Sequence, residues 1–196
     1  LNKNIKVVSL KEKIKDIIKN ASDEIHLQDI FRKLQKTNED VPVDLHLNDL
    51  VDKFIIVKTS PGTYLSFEKA EKLYDNEEII NELELLLENY DFVTISFIRE
   101  KLNEKLLYNF SNYFYESMIK KIILDKPFFY GNNYLSSKSP KTVSLEQYVK
   151  KNYNWTLSSN ENYKILLNKI GMTKRNFTNI IYKSDFKYNV EIFDSD

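Results

Sequence analysis

The chain has 196 residues, no cysteine, and 29 basic against 29 acidic residues. The absence of cysteine excludes a disulfide framework and a thiolate zinc site, and the neutral total argues against a strongly basic nucleic-acid protein. No apolar run approaches the roughly 20 residues of a membrane-spanning helix, and no signal-peptide pattern opens the chain, so we expect a cytoplasmic protein without a membrane partner. Because the chain starts at Leu1 rather than at a methionine, we expect any catalytic domain to lie outside it.

The balanced total conceals a gradient of charge along the chain. Residues 69–136 carry a net charge of −4, whereas residues 137–196 carry +4. This asymmetry indicates the C-terminal third as the contact with a polyanion. A general compositional excess of Lys and Asn would produce the same gradient without any such contact.

Three helices and a hairpin are predicted in the first 70 residues. Ser9 followed by Glu12 is a capping box that predicts a helix to about Asn20. Further segments follow in order: an extended link at 25–27, a helix over 28–37, and a third helix from Pro42 to about residue 54, where proline suits the first turn. Residues 55–57 and 63–67 then flank Pro61-Gly62, which is typical of a hairpin turn. Three helices closed by a hairpin predict a winged helix.

The same order of elements recurs 68 to 70 residues later. Six apolar positions map onto apolar positions at an offset of 68: Ile17, Ile18, Ile25, Leu27, Ile30 and Leu34 onto Leu85, Leu86, Val93, Ile95, Ile98 and Leu102. After two extra residues, Tyr64-Leu65 maps onto Tyr134-Leu135. A period of this size is typical of an array of small modules. We predict helices over 77–88, 96–105 and 111–124, then a hairpin over 128–135 that turns at Gly131.

The remaining residues predict a third, helical element after a linker at 136–141. Two amphipathic segments flank Gly171, and a small residue in a tight turn between two short helices is typical of a helix-turn-helix. The predicted fold class is therefore mainly α with small β-hairpins (α+β), with tandem winged helices over 1–70 and 71–137 and a helix-turn-helix element over 138–196.

The first module resembles a known family. Phe54-Ile55-Ile56-Val57 leading to Gly62-Thr63-Tyr64-Leu65, after the three-helix pattern, is similar to the winged-helix domain called HARE-HTH. The resemblance covers residues 9–68 well and residues 77–136 less well, since the second module retains only Asn-Tyr-Leu of the hairpin motif. Members of that family occur in the delta subunit of bacterial RNA polymerase, fused to restriction endonucleases, and in chromatin proteins. The resemblance implies a role associated with DNA or with RNA polymerase.

The helix after Gly171 is the first candidate for contact with double-stranded DNA. If Phe177, Ile180 and Ile181 face inward, six polar residues remain outward: Lys174, Arg175, Thr178, Asn179, Tyr182 and Lys183. Arg and Lys bind guanine, Asn binds adenine, and Lys neutralises phosphate. A helical hairpin that serves only for packing is the alternative.

The third helices of the two modules predict different contacts. In module 2 this helix offers Asn112, Tyr113, Lys120 and Lys121 as further DNA contacts. In module 1 it carries Asp44, Asp49 and Asp52, which would be repelled by phosphates. Those carboxylates suit a basic protein surface instead, so the alternative to DNA binding is an adaptor that contacts RNA polymerase or a fused catalytic domain. A solvated acidic face without a partner explains them equally well.

Catalysis finds little support in the sequence. His26 and His46 are the only histidines and lack a third ligand at metal-binding spacing, and Asp185-Phe186-Lys187 lacks the acidic partner of a nuclease site. We expect no enzyme activity, cofactor or metal. Aromatic residues are concentrated from Tyr90 onward, where they pack in a core or stack on unpaired bases. The leading hypothesis is a DNA-binding region that acts in transcription control or in target recognition by a larger restriction or defence protein.

Overall fold

The computed structural model describes residues 8–35, 42–139 and 143–183. Helices predominate there and small sheets accompany them, so the fold is mixed α+β. The helices are α1 (Leu10–Asn20), α2 (Leu27–Leu34), α3 (Val43–Asp52), α4 (Phe67–Ala70), α5 (Asn76–Asn89), α6 (Ile95–Leu106), α7 (Asn112–Ile122), α8 (Leu145–Asn152), α9 (Ser159–Leu166) and α10 (Lys174–Ile181). The strands are β1 (Ile25–His26), β2 (Ile56–Ser60), β3 (Thr63–Ser66), β4 (Phe92–Thr94), β5 (Phe129–Tyr130), β6 (Tyr134–Ser136) and β7 (Ile170–Gly171).

These elements form two compact units. The first unit contains the described residues up to Asn76 together with Phe110–Lys121, and the second contains Glu77–Asn109 and the described residues from Ile122 onward. The ranges differ from the three consecutive segments expected from the repeat, since α7 clusters with the first unit. The division into modules over 1–70, 71–137 and 138–196 stays a prediction.

The core of the first unit begins with the amphipathic helix α1. Ser9 accepts a hydrogen bond from the Glu12 amide at 3.2 Å and so caps the helix. Ile14 and Ile18 are fully buried on its inner face, and each buried aliphatic side chain contributes on the order of 2 kcal/mol to folding. The buried cluster contains Ile14, Ile18, Ala21, Ile25, Ile30, Val43, Leu47, Leu50, Ile56 and Tyr64. The predicted limits of this helix are confirmed.

The first sheet is antiparallel, with strands in the order β1-β3-β2. Gly62 lies in the turn between β2 and β3 with φ of +70°, a conformation that glycine adopts without a steric penalty. The Gly62 carbonyl accepts a hydrogen bond from the Leu27 amide at 2.7 Å, and His26 Nδ1 accepts one from the Gln28 amide at 3.3 Å. The hairpin turn and His26 together fix the start of α2.

Helix α7 packs against the β2–β3 hairpin within the first unit. The Ser117 hydroxyl accepts a hydrogen bond from the Lys58 amide at 3.4 Å and donates one to the Tyr113 carbonyl at 3.0 Å. The Ser111 hydroxyl donates to the Thr59 carbonyl at 2.5 Å. These bonds tie a helix that the repeat assigns to module 2 to the hairpin of module 1.

The second sheet has strands in the order β5-β6-β4-β7. Strands β4 and β6 are antiparallel, as are β5 and β6, whereas β4 and β7 are parallel with Val93 opposite Gly171. A second buried cluster contains Phe92, Tyr134, Leu145, Val149, Leu166, Ile170, Met172, Phe177 and Ile180. Helices α8, α9 and α10 therefore share one core with this sheet.

The expectation that Gly171 lies in a tight turn between two helices is wrong. Gly171 is part of β7, inside the longer connection between α9 and α10. A Cβ atom at this position would lie 2.8 Å from Phe97 Cδ1 and 3.1 Å from Val93 Cγ1. Glycine is needed here because β7 approaches β4 and α6 closely, not because the backbone turns.

The alignment of the two hairpins is also corrected by the structure. Asn133 has φ of +62°, and its carbonyl accepts a hydrogen bond from the Ile95 amide at 3.0 Å, as the Gly62 carbonyl does from the Leu27 amide. The offset in the hairpin is therefore 71, and Tyr134 corresponds to Thr63 rather than to Tyr64. Since neighbouring residues of a strand face opposite sides, Tyr134 and Tyr64 lie in different surroundings: Tyr64 in the three-helix core and Tyr134 in the cluster with α8 and α10.

Two residues of the second copy differ in the structure from their counterparts in the first copy, although Gly131 lies in the predicted turn between β5 and β6. Leu85 is 46% exposed, so it is not a core position of α5; the fully buried residues of that helix are Ile79 and Leu83. Gly131 does not have the left-handed role of Gly62. A Cβ at Gly131 would overlap the ring of Tyr134, so this glycine makes room for the tyrosine ring.

Candidate functional site

Helix α10 is built as its sequence periodicity predicts. Thr173 is the N-cap, and its hydroxyl accepts a hydrogen bond from the Asn176 amide at 3.2 Å. Phe177 and Ile180 are buried, and Ile181 is partly buried. Of the six residues expected to face outward, five are exposed and Thr178 is partly exposed; the exposed ones are Lys174, Arg175, Asn179, Tyr182 and Lys183.

Lys174 and Arg175 occupy the first turn of α10. The positive end of the helix dipole lies there, so two cations in this turn do not stabilise the helix. Neither residue forms an ion pair with any residue of the ranges 8–35, 42–139 and 143–183, and no acidic residue accompanies them in the turn. Both side chains are exposed at a helix N-terminus, where the side-chain charges and the helix dipole together attract an anion.

Lys183 lies two residues beyond the end of α10 and is already paired. Its ammonium nitrogen lies 2.7 Å from Oε1 of Glu146, in the first turn of α8, and the two side chains are 56% and 36% exposed. An exposed pair of this kind is worth at most about 1 kcal/mol. Lys183 is thus available to a phosphate only in competition with Glu146.

A cleft of about 220 Å³ joins α10 to the turn of the second hairpin within the second unit. Its polar walls come from that turn, from the start of α8 and from the outer face of α10. The lining residues are Thr94, Asn132, Asn133, Tyr134, Leu145, Glu146, Asn176, Asn179, Ile180 and Lys183. Four asparagine side chains therefore surround one cleft, and an amide group offers both a donor and an acceptor to a ligand.

Asn176 positions the residues of this cleft, although it is not among the candidates predicted from the sequence. Its side-chain oxygen accepts hydrogen bonds from the Thr94 hydroxyl at 3.0 Å and from the Thr173 hydroxyl at 2.8 Å. Thr94 is itself the N-cap of α6, accepting from the Phe97 amide at 3.4 Å. The starts of α6 and α10 are thus linked through one amide. The spacing of Thr173 and Asn176 is a capping signal that could have identified this residue.

The candidate DNA contacts on α7 are largely engaged inside the first unit. Lys121 lies 2.5 Å from Glu71 and its ammonium group is 4.3 Å from the Phe67 ring centre. Lys120 pairs with Glu116 at 3.2 Å. Tyr113 is 39% exposed and lies under the Lys58 ammonium at 4.8 Å, while Asn112 is partly buried. The structure does not bring these four residues together with those of α10 in one unit.

The three candidate aspartates of α3 differ in their surroundings. Asp49 forms ion pairs with Lys11 and with Lys53, the latter at 2.8 Å. Hydrogen bonds from Lys11 and then Lys53 hold the pKa of the Asp49 carboxyl below its usual value. Asp44 and Asp52 are exposed. Of these three aspartates, Asp44 and Asp52 form no ion pair with another described residue, so they are what remains of the predicted acidic surface.

Other candidates from the sequence have structural explanations or lie outside the described residues. His26 caps α2, as described above, and His46 is partly buried on α3. Among the described residues, no group of His, Asp and Glu is arranged to hold a metal ion. Asp185-Phe186-Lys187 lies outside the described residues.

Across the described residues, no helix is both long enough and apolar enough to span a membrane. No protein-family model matches the chain, and neither the curated proteins nor the solved structures contain a significant match to it.

Proposed function

We propose that this chain is a non-enzymatic, DNA-binding region whose duplex contact is the outer face of α10 and the adjoining turn of the second hairpin. One observation carries the proposal: Lys174 and Arg175 at the start of α10 form no ion pair with any residue that the structure describes, and Asn179, farther along the same helix, lines a cleft with Asn132 and Asn133. Cations position a protein on phosphates, and asparagine side chains pair with adenine edges.

The charge of the surrounding segment supports this proposal. Residues 143–183 contain seven Lys and Arg but only two acidic residues, Glu146 and Glu161. Both acids are engaged internally, Glu146 by Lys183 and Glu161 by the Ser158 hydroxyl and amide. The resulting positive potential attracts a polyanion and makes binding depend on salt concentration.

The proposal includes a tandem winged-helix arrangement with a C-terminal helical element. Its support is the order helix, strand, helix, helix, hairpin, which occurs from α1 to β3 and again from α5 to β6. In both copies, a residue with positive φ in the hairpin turn accepts a hydrogen bond from the first amide of the second helix. A role in transcription control, or in target recognition by a larger restriction or defence protein, agrees with the HARE-HTH resemblance of module 1.

A titration of blunt duplex DNA at two salt concentrations tests the proposal. The wild-type chain should bind with an affinity that falls steeply as salt increases. The double variant Lys174→Glu and Arg175→Glu should bind at least tenfold more weakly. The slope of the logarithm of the binding constant against the logarithm of salt concentration should decrease in magnitude by about 2, because two phosphate contacts are lost.

A matched control has the same charge change elsewhere. Lys13 and Lys33 are exposed residues of the first unit, so Lys13→Glu with Lys33→Glu should retain most of the affinity. Equal loss in both double variants would show that only net charge matters and would contradict the α10 site.

The adaptor function remains the second candidate, because Asp44 and Asp52 are exposed on the same helix as three fully or nearly fully buried residues. Such a surface suits a basic protein partner, for example on RNA polymerase or a fused catalytic domain. If this function is right, Asp44→Lys with Asp52→Lys abolishes capture of purified RNA polymerase while Lys174→Glu with Arg175→Glu does not. Capture that is unchanged by the aspartate variants would contradict it.

A further inference from the structure

The single tryptophan of the chain lies at the tip of a loop in the second unit. Trp155 occupies the second position of a turn in which the Leu157 amide donates a hydrogen bond to the Asn154 carbonyl at 3.1 Å. The Asn154 side-chain oxygen accepts from the Thr156 amide at 3.0 Å and from the Thr156 hydroxyl at 2.7 Å. The residues on both sides of Trp155 are thus held in place.

Hydrogen bonds from one buried asparagine side chain also hold this loop in place. Asn162 is only 1% exposed, and its side-chain oxygen accepts from the Asn154 amide at 2.7 Å. Its side-chain nitrogen donates to the carbonyls of Asn154, Leu157 and Ser158 at 2.8, 3.3 and 3.1 Å. One side chain therefore satisfies four polar groups of the loop, which restricts its motion before any ligand arrives.

The loop keeps Trp155 partly in solvent. The indole is 49% exposed, although burying an aromatic side chain is strongly favourable. Its inner side lies against Tyr153, with ring centres 4.6 Å apart, and Tyr153 in turn stacks at 6.2 Å on Phe177 in α10. These ring contacts connect Trp155 to α10, the helix that carries Lys174 and Arg175.

The charged residues around the Trp155 loop indicate which class of ligand it binds. Exposed Lys151 closes α8 just before the loop, and Lys174 and Arg175 lie on the helix that these ring contacts reach. The two acidic residues of 143–183 are engaged by Lys183 and by Ser158. A basic surface with an exposed aromatic ring binds the unpaired bases of a nucleic acid, because every base has a stacking face and its backbone is an anion.

We propose that Trp155 is a stacking platform for an unpaired nucleic-acid base, next to the duplex-binding surface of α10. The proposal rests on the proposed function, which it extends to DNA with single-stranded segments such as overhangs or flipped bases. Asn162 is the positioning residue of this site, since it holds the loop without reaching the ligand.

Tryptophan fluorescence tests the proposal directly, because Trp155 is its only source in the chain. Oligothymidylate should quench the emission as a thymine stacks on the indole, whereas an abasic oligomer of the same length should leave it nearly unchanged. Trp155→Ala should weaken binding of oligothymidylate about tenfold without changing affinity for the abasic oligomer, and Trp155→Phe should keep most of the affinity. Phe129→Ala, at an exposed aromatic residue of β5 that has no role in the proposed sites, is the matched control and should bind like the wild type.

The outcomes separate this proposal from the duplex-binding function. Unchanged emission with oligothymidylate, or equal affinity of Trp155→Ala and wild type for it, would overturn the stacking site even if blunt duplex still bound through Lys174 and Arg175. Quenching by oligothymidylate without any binding of blunt duplex would support the stacking site and reject the duplex function. A peptide or vesicle that bound where oligothymidylate did not would also overturn the proposal.

Discussion

Gly62 and Asn133 occupy the same place in two separate hairpins. Each has a left-handed backbone, with φ of +70° and +62°, and each carbonyl accepts a hydrogen bond from the first amide of a helix, Leu27 at 2.7 Å and Ile95 at 3.0 Å. Asparagine tolerates this conformation better than other residues that carry a Cβ. The two hairpins thus have the same left-handed backbone conformation at this position, with glycine in one and asparagine in the other.

Asn133 is therefore expected to respond to substitution as a left-handed position. Asn133→Ala should lower the free energy of unfolding by about 1 kcal/mol, because alanine has no polar side chain to compensate the left-handed backbone. Asn133→Gly should change it by less than about 0.5 kcal/mol, since relief of strain offsets the greater freedom of the unfolded chain. Urea unfolding followed by circular dichroism measures both, and Asn132→Ala in the same exposed turn is the control. Equal effects of the two alanine variants would contradict the assignment.

Gly171 is expected to tolerate no side chain in the presence of Phe97. Gly171→Ala should destabilise the second unit by about 1–3 kcal/mol, because the new methyl group meets the Phe97 ring at 2.8 Å. Phe97→Leu should recover part of the loss when combined with it, which a double-mutant cycle of urea unfolding measures. Strict additivity of the two changes would show that they do not share this contact.

The Asp91–Tyr148 pair should give stability a measurable pH dependence at both ends. The Tyr148 hydroxyl donates to Asp91 Oδ2 at 2.7 Å. Burial, and then the adjacent Asp91 carboxylate, raises the pKa of Tyr148 to about 12. The stability that neutral Tyr148 contributes is complete below the unfolded pKa near 10 and is lost as pH rises through about 12. Tyr148→Phe should therefore lose less stability than the wild type between about pH 10 and 12.

At acidic pH, the dependence of stability on pH has the opposite sign, because it comes from the Asp91 carboxyl. Burial opposes ionisation of Asp91, but hydrogen bonds from Lys138 and Tyr148 outweigh it and hold the pKa of the carboxyl below its usual value. Its contribution is present above the unfolded pKa near 3.9 and is lost as pH falls through the lower folded pKa. Asp91→Asn should accordingly have a flatter stability profile below about pH 4 than the wild type, measured by urea midpoints. Parallel profiles for variant and wild type would contradict the pair at either end.

Glu146 is expected to restrain DNA binding through Lys183. Glu146→Gln removes the carboxylate that lies 2.7 Å from the Lys183 ammonium, so the lysine becomes available to a phosphate. Blunt-duplex affinity at low salt should rise about two- to fivefold, the value of an exposed ion pair. Glu116→Gln releases Lys120 in the first unit and is the matched control, with no gain expected. A gain of the same size in both variants would indicate a general charge effect.

Local signals predicted much of the secondary structure. Ser9 and Glu12 marked the start of α1, and the apolar spacing around Phe177 and Ile180 gave the buried face of α10. These signals depend on residues three or four apart, so the sequence displays them directly. Ser144 with Gln147 and Ser158 with Glu161 are capping boxes of the same form, and they mark the starts of α8 and α9.

Contacts distant in sequence were not predictable from the same signals. The parallel pairing of Val93 with Gly171 and the packing of Ser117 against Lys58 depend on segments about 60 to 80 residues apart. The one-residue slip that moved Tyr134 to another face has a similar origin, since apolar residues on both faces of β6 give no alternation to align. For the candidate site, the exposed face of α10 was predictable, whereas Asn176, Asn162 and the cleft were not.

The arrangement of α7 imposes an order on biosynthesis. The ribosome completes residues 77–109, which fold with the second unit, before Ser111 and Ser117 emerge to bond Thr59 and Lys58. At about 5–20 residues per second, the N-terminal hairpin waits several seconds for this helix. The first unit therefore remains incomplete while residues 77–109 are being translated. A fragment that stops at residue 76 lacks α7, which belongs to the same unit.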